Sequence, residues 1–334
     1  HRGLTLATRG NLNNQIGVPK TAFELNADHR YAVIEMGASG PGEIDYLCWI
    51  ARPDVALVTN VLPAHIAGFG SESVIAETKG AVYSNLKDGG TAVINIDDTW
   101  HQKWMLMSGK ANLLTCSLSN PSADIRATDI ELGTAEGCRF VLHLGKKSTP
   151  INLPLPGRHN IANALAAAAA AFAAGAALVD IVWGLENMKP VKGRMQMRPG
   201  LGGCAVLDDS YNANPGSVKA AIDVLALRAG KRILVLGDMA ELGSLSTKSH
   251  REMGSYARDC GIEEFYTTGQ YAEHSARGFG EGAKVFASKE ELVETLKDNL
   301  DSTTTVLVKG SRSAAMDLVA ARIIVEEENA SVAG

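Results

Sequence analysis

Short apolar runs recur along the chain, and the stretches between them carry the period of a helix. Three runs rich in β-branched residues, Tyr31–Met36, Val55–Asn60 and Thr91–Ile96, alternate with a helix-patterned segment, Ser71–Leu86. Strand and helix in alternation predict a mostly parallel sheet. Between Asn112 and Leu155 the helical period disappears and strand-like runs such as Arg139–Leu144 and Ile151–Leu155 follow, which suits an antiparallel edge to the same sheet. A helix then opens after Gly157 and runs through an alanine-rich tract to about Gly175, and another, near Val179–Met188, stops at Pro190.

Lys189–Gly203, with two prolines and four glycines, reads as a linker. After it the rhythm restarts. Strands are expected at Ala205–Leu207, Arg232–Leu236, Glu264–Thr268, around Val285 and at Thr305–Val308. Helices are expected at Ser217–Arg228, Thr247–Cys260, Tyr271–Arg277, Lys289–Asn299 and Ala314–Glu327. Repeated units of this length predict a doubly wound, Rossmann-like domain. A chain of 334 residues also suits two domains, divided here as 1–198 and 199–334.

Composition narrows the picture. At 46% hydrophobic and 21% charged, disorder is excluded as the dominant state. A net charge of -5 speaks against nucleic acid as the main partner. The longest apolar run, Ala164–Val179, falls short of the ~20 residues that cross a bilayer and reads as a buried helix. Five scattered cysteines without a C-x-x-C pair fit a reducing cytoplasm. The chain begins at His1 with no secretory pattern, which suggests a processed or truncated piece.

In such sheets ligands bind beyond the carboxyl ends of the strands, and polar residues gather there. Glu35 and Asn60 close two strands, His65 follows in a loop, and Asp208-Asp209 close the first strand of the second domain. Glu35 and His65 together suit a divalent cation, although taken alone such residues more often have a solvated or hydrogen-bonded structural role. In Gly157-Arg158-His159-Asn160-Ile161-Ala162-Asn163, the residues His159, Asn160 and Asn163 surround a helix start. The two asparagine amides suit a purine edge, or Asn160 only caps the helix. Asp208-Asp209-Ser210-Tyr211-Asn212-Ala213-Asn214-Pro215 holds more polar groups than a turn needs, although Asn214 as N-cap with Pro215 at N1 accounts for its end. Gly237-Asp238-Met239-Ala240-Glu241-Leu242-Gly243 and Lys309-Gly310-Ser311-Arg312 close further strands. The nearest G-x-G-x-x-G match, at 278–283, precedes its strand, which argues against a dehydrogenase.

Together these motifs resemble the Mur ligase family, in the branch that joins D-alanyl-D-alanine to UDP-N-acetylmuramoyl-tripeptide. Gly10 to Pro19, Glu35-Met36-Gly37-Ala38, Thr59-Asn60-Val61 with Ala64-His65, Gly68-Phe69-Gly70 and Thr78-Lys79-Gly80 resemble its central ATPase domain. Gly157-Arg158-His159-Asn160, Asp208 to Pro215, Leu236 to Gly243 and Val308 to Ser313 follow in the family's order. The resemblance implies a truncated central domain plus a C-terminal Rossmann-like domain, hinged near Lys189–Gly203 with the nucleotide crevice between them. It also implies a cytoplasmic, monomeric enzyme of peptidoglycan synthesis using ATP and Mg²⁺. ATP would phosphorylate the tripeptide carboxylate, and the amine of D-alanyl-D-alanine would attack the acyl phosphate.

Residue by residue, the resemblance makes Glu35, His65 and Lys79 the Mg²⁺ ligands, with Lys79 carbamylated, since an ammonium repels the ion and a carbamate offers it oxygens. His159, Asn160 and Asn163 resemble adenine-side residues, Asp209 a ribose contact and Arg194 a phosphate contact. Asn11, Asn13 and Asn14 resemble the loop meeting the UDP-sugar-peptide. Asn212, Asn214, Asp238, Lys309, Ser311 and Arg312 fall nearer the dipeptide. The family's G-x-x-G-K-[ST] phosphate loop has no counterpart in the sequence. These 334 residues are therefore expected to be the carboxyl-terminal part of a longer enzyme, inactive in ligation alone and less stable in the first 200 residues or so than in the rest. The rivals are another Mur-type or folylpolyglutamate-type ligase and a noncatalytic nucleotide-binding paralogue.

Overall fold

The computed structural model describes residues 1–61, 69–133 and 137–325. Its chain falls into two units, one of His1–Glu131, Cys138–Leu153 and His159–Met188, the other of Leu132–Gly137, Pro154–Arg158 and Lys189–Gly334.

The first unit begins with β1 (Thr5–Ala7), α1 (Gly17–Ala22), β2 (Tyr31–Val33), α2 (Glu43–Ala51), β3 (Val55–Val58) and α3 (Glu72–Ser84). There follow β4 (Thr91–Asn95), α4 (His101–Met107), β5 (Asn112–Ser117), β6 (Ile125–Leu132), β7 (Cys138–Leu144), β8 (Lys147–Leu153), α5 (Arg158–Ala173) and α6 (Leu178–Glu186). β1 and β2 pair in parallel as a two-stranded sheet. β3 to β8 form a six-stranded sheet in sequence order, parallel from β3 to β6, with β7 and β8 antiparallel. The parallel part thus reaches further than the sequence suggested, because α4, which the pattern hid, carries the chain across from β4 to β5. α4 packs closely on α3: a Cβ on Gly80 would sit 2.7 Å from Trp104 Cδ1, so glycine is required there. Trp104 is fully buried and donates from Nε1 to the Ala76 carbonyl at 2.9 Å. The Tyr83 hydroxyl accepts from Val58 N and donates to the Val93 carbonyl, both at 2.9 Å, fixing α3 to β3 and β4.

The second unit runs β9 (Gln196–Pro199), β10 (Ala205–Asp209), α7 (Pro215–Ala226), β11 (Lys231–Leu236), α8 (Ser246–Asp259), β12 (Glu264–Thr268), α9 (Ala272–Phe279), β13 (Ala283–Phe286), α10 (Lys289–Lys297), β14 (Thr304–Lys309) and α11 (Asp317–Ile323). The strand order is β13-β12-β11-β14-β10-β9, parallel except for β9 against β10. Alternation at period two divides the apolar residues between two layers. Leu207, Leu234, Leu236 and Leu307 pack with α7 and α8, while Val206, Ile233, Val235, Val306 and Val308 pack with α10 and α11. Each such side chain, fully buried, contributes ~1.5–3 kcal/mol. The chain leaves β10, passes over the place of β14 to form β11, and returns to fill it. The carboxyl ends of β10, β14 and β11 therefore lie side by side at a topological switch point. Among the described residues no helix is long and apolar enough to cross a membrane.

Candidate active site

In the first unit, the segment from Asn11 to Pro19 folds around Gly37. Asn13 Nδ2 donates to Glu35 Oε1 at 2.8 Å, the Asn13 carbonyl accepts from Gly37 N at 2.8 Å, and Glu35 N donates to Thr8 Oγ1 at 2.9 Å. Glu35 sits two residues beyond the end of β2, exposed, with its carboxylate oriented by Asn13. Asn14 does a different job from its neighbour: its Oδ1 accepts from Ile16 N and Gly17 N, at 3.1 and 2.9 Å, and so starts α1. Asn11 precedes it in the same turn, its carbonyl accepting from Asn13 N at 2.8 Å.

Lys79 lies on α3, half-buried, with Nζ 3.4 Å from the Asn60 carbonyl. Burial lowers its pKa, and the Asp98 carboxylate opposes that shift. Asp98 is 8% exposed and accepts from Val61 N and Trp100 N, both at 2.8 Å. Sequence reasoning passed over Asp98, although Asp97-Asp98 follows the carboxyl end of β4, where a signal was available. His65 lies outside the described residues. Among the described residues no three His, Cys, Asp or Glu side chains gather as a metal cage. Glu35 has the oxygen chemistry that Mg²⁺ takes, and Lys79 acquires it only as a carbamate.

At the start of α5, Asn163 Nδ2 approaches Asn160 Oδ1 at 3.5 Å, so the two amides share one face of the helix with His159 one residue before them. The alanine tract behind them is buried, with Ala164, Ala166, Ala168 and Ala169 facing the core.

The second unit gathers more. Lys309, at the end of β14, is 2% exposed and forms a short, charge-assisted hydrogen bond with Asp209 Oδ2 at the end of β10. Its Nζ also donates to the Asn212 carbonyl at 2.9 Å, and Asp209 Oδ1 accepts from Met195 N at 3.0 Å. One ion pair thus ties the 193–195 turn, the Asp209–Asn214 loop and the β14 terminus. Lys309 is not displayed to solvent as a ligand contact would be; it is a strut. The Arg194 guanidinium lies over the Tyr211 ring, 4.3 Å from its centroid, and Tyr211 N donates to the Gly193 carbonyl at 3.0 Å. Asn214 caps α7: its Oδ1 accepts from Ser217 N at 2.9 Å, and Ser217 Oγ accepts from Asn214 N at 3.0 Å. Asn212 Oδ1 accepts from Ala213 N at 2.9 Å.

Beyond β11, Asp238 joins three loops. Its carboxylate accepts from Gln270 N and Tyr271 N at 2.8 and 3.0 Å, and its carbonyl accepts from Ser311 N at 2.8 Å. Gly269 must be glycine, with φ of +122° and a would-be Cβ 2.5 Å from Asp238 Oδ2. Ser311 is 1% exposed, its Oγ 3.2 Å from Ser313 Oγ. Arg312 stands apart, pairing with Asp317 at 3.3 Å on the surface.

The Mur ligase middle domain pattern matches residues 1–171, and the Mur ligase glutamate ligase domain pattern matches 193–312. The chain belongs to the Mur ligase family. Among curated Mur ligases, the UDP-N-acetylmuramoyl-tripeptide--D-alanyl-D-alanine ligase of Escherichia coli (strain K12) is 44% identical over 321 residues, covering 95% of this chain and 70% of that protein. Among solved Mur ligase structures, MurF from Acinetobacter baumannii superposes with a TM-score of 0.90 at 34% identity, over 96% of this chain and 70% of that one. MurF from Thermotoga maritima, in complex with ADP, gives a TM-score of 0.86 at 25% identity, over 96% and 73%. The mixed α/β architecture with mostly parallel sheets is that of the Mur ligase middle and C-terminal domains.

Proposed function

We propose that this chain serves an ATP-dependent, cytoplasmic amide-bond ligase that adds D-alanyl-D-alanine to UDP-N-acetylmuramoyl-tripeptide in peptidoglycan synthesis. The observation that carries the reading is the 44% identity to the Escherichia coli ligase, because it extends over 95% of the chain and through both units. A carboxylate is a poor acyl donor, so the tripeptide carboxylate first takes the γ-phosphoryl group of ATP, releasing ADP. The neutral amine of the dipeptide then attacks the acyl carbon, phosphate leaves and the amine proton goes to solvent.

In this reading Glu35, His65 and carbamylated Lys79 would hold Mg²⁺, which when bound neutralises phosphate charge. The lowered pKa of Lys79 supports its part, since carbamylation begins with attack of a neutral amine on CO₂. His159, Asn160 and Asn163 would face adenine. Asp209 keeps lone pairs for a ribose hydroxyl beyond those given to Lys309 and Met195 N. Arg194, held over Tyr211, would meet phosphate. Asn11 and Asn13 would meet the UDP-sugar-peptide, with Asn14 shaping their turn. The Asp238 carboxylate, 27% exposed, would attract the dipeptide ammonium before it loses its proton, with Ser311 held to its carbonyl and Asn212 and Arg312 in the loops after β10 and β14. The test is ADP release by the gene product containing these 334 residues. Release that requires UDP-N-acetylmuramoyl-tripeptide and D-alanyl-D-alanine together, and that glutamate or a diamino acid does not support, is the expected result. Equal release with glutamate would overturn the substrate assignment.

A further inference from the structure

The polar helix α8 carries one residue that its sequence makes look like a surface histidine and that the fold buries. His250 is 1% exposed. Its Nε2 accepts from Met239 N at 2.9 Å, and its Nδ1 lies 2.7 Å from the Ser246 carbonyl. A carbonyl only accepts, so Nδ1 carries the proton, and an N–H donor at Nε2 requires that nitrogen to be bare. Both neighbours thus select one neutral tautomer. The ring stacks on Tyr271, centroids 4.8 Å apart.

Met239 follows Asp238, and Asp238 ties the loops after β11, β12 and β14 together. Its carbonyl holds Ser311 N from the β14 loop, and its carboxylate holds Gln270 N and Tyr271 N from the β12 loop. We propose that His250 is a positioning residue for the D-alanyl-D-alanine site, clamping the Asp238-Met239 turn through Met239 N and bracing it through Tyr271. The proposal deepens the function given above and rests on it for the identity of the dipeptide.

Protonation would break the clamp, since Nε2 would then present an N–H to the Met239 N–H. The new donor would turn toward Asp238 Oδ1, 3.8 Å away. The titratable groups facing the ring are Asp238 from the β11 loop and Tyr271 and His274 from the region of α9. Burial holds the His250 pKa below its ordinary value, the Ser246 contact and Asp238 pulling upward and His274 adding to the depression. A base whose folded pKa is lowered favours folding fully above its unfolded pKa of about 6.5 and loses that contribution as pH falls from there toward the folded value.

Two variants and one spectrum test this. His250→Phe keeps a flat ring without the acceptor and should raise KM for D-alanyl-D-alanine about tenfold, the size expected for one lost buried hydrogen bond, with KM for ATP unchanged. His250→Gln can still accept and donate, and should restore KM to within about threefold of the unaltered protein while removing the rise in KM that the histidine imposes as pH falls below the ordinary imidazole value of about 6.5. Unchanged KM in the phenylalanine variant, or an identical acid limb in the glutamine variant, would overturn the proposal. Imidazole ¹⁵N spectra of the protein test the clamp without any substrate: a protonated Nδ1 with bare Nε2 at pH 7.5 is expected, and the opposite tautomer would overturn it. Absence of D-alanyl-D-alanine-dependent turnover in the unaltered protein would instead overturn the functional reading, which the spectra do not touch.

Discussion

Two lysines, one in each unit, show how differently a buried ammonium is treated. Lys309 is almost wholly enclosed, and its charge is met by Asp209 and completed by the Asn212 carbonyl. Lys79 is half-buried, with a carbonyl at 3.4 Å and the Asp98 charge as partial compensation, and burial lowers its pKa from the ordinary lysine value. The first is a strut, and the second is the one proposed above as a reactive group. Burial without a close anion shifts a lysine toward the neutral amine that covalent chemistry needs, relative to an exposed one.

The comparison breaks most visibly at the strut. Asp209→Ala leaves the Lys309 ammonium buried without its partner and should cost about 3–5 kcal/mol of stability in urea unfolding, whereas Asp209→Ala combined with Lys309→Met should recover most of it. A cost below about 1 kcal/mol for the single variant would mean that water already reaches the pair. At the reactive lysine the effect should fall on rate and leave the fold intact. Lys79→Ala is expected to lower turnover by about a hundredfold or more, with acetate or bicarbonate restoring part of it by supplying the lost carboxylate. The urea midpoint should hardly move, because Nζ makes one long hydrogen bond. Full activity at low bicarbonate would remove Lys79 from the chemistry.

The same contrast marks what was legible in the sequence. The second sheet was readable because Ile233 to Leu236 and Val306 to Val308 are buried on both faces and read as unbroken apolar runs. α2 was hidden because Tyr46 and Trp49, 47% and 76% exposed, add apolar residues to its outer face and blur the period of Ile44, Leu47 and Cys48. β9 was hidden because its four residues end at Pro199 and look like linker; as the edge strand against β10 it tolerates the proline. Among site residues, the resemblance named Asp209 and Lys309 separately. Their pairing, across a hundred residues of chain, follows from β10 and β14 being adjacent and parallel, which no local pattern reveals. Asn214 was equally explicable as a cap and as a ligand contact, and the structure shows the cap. His250 offered a weak signal, sharing the i, i+3, i+7 stripe of Met253 and Ala257, but the polar residues around it made that face hard to read.

The central claim is that ligation passes through a phosphorylated tripeptide carboxylate, and isotope transfer tests it most directly. UDP-N-acetylmuramoyl-tripeptide labelled with ¹⁸O in its terminal carboxylate is turned over with ATP and D-alanyl-D-alanine by the gene product containing this chain, and the released phosphate is analysed by mass spectrometry. An acyl phosphate requires one labelled oxygen to leave with each phosphate. Unlabelled phosphate accompanying amide product would contradict the account.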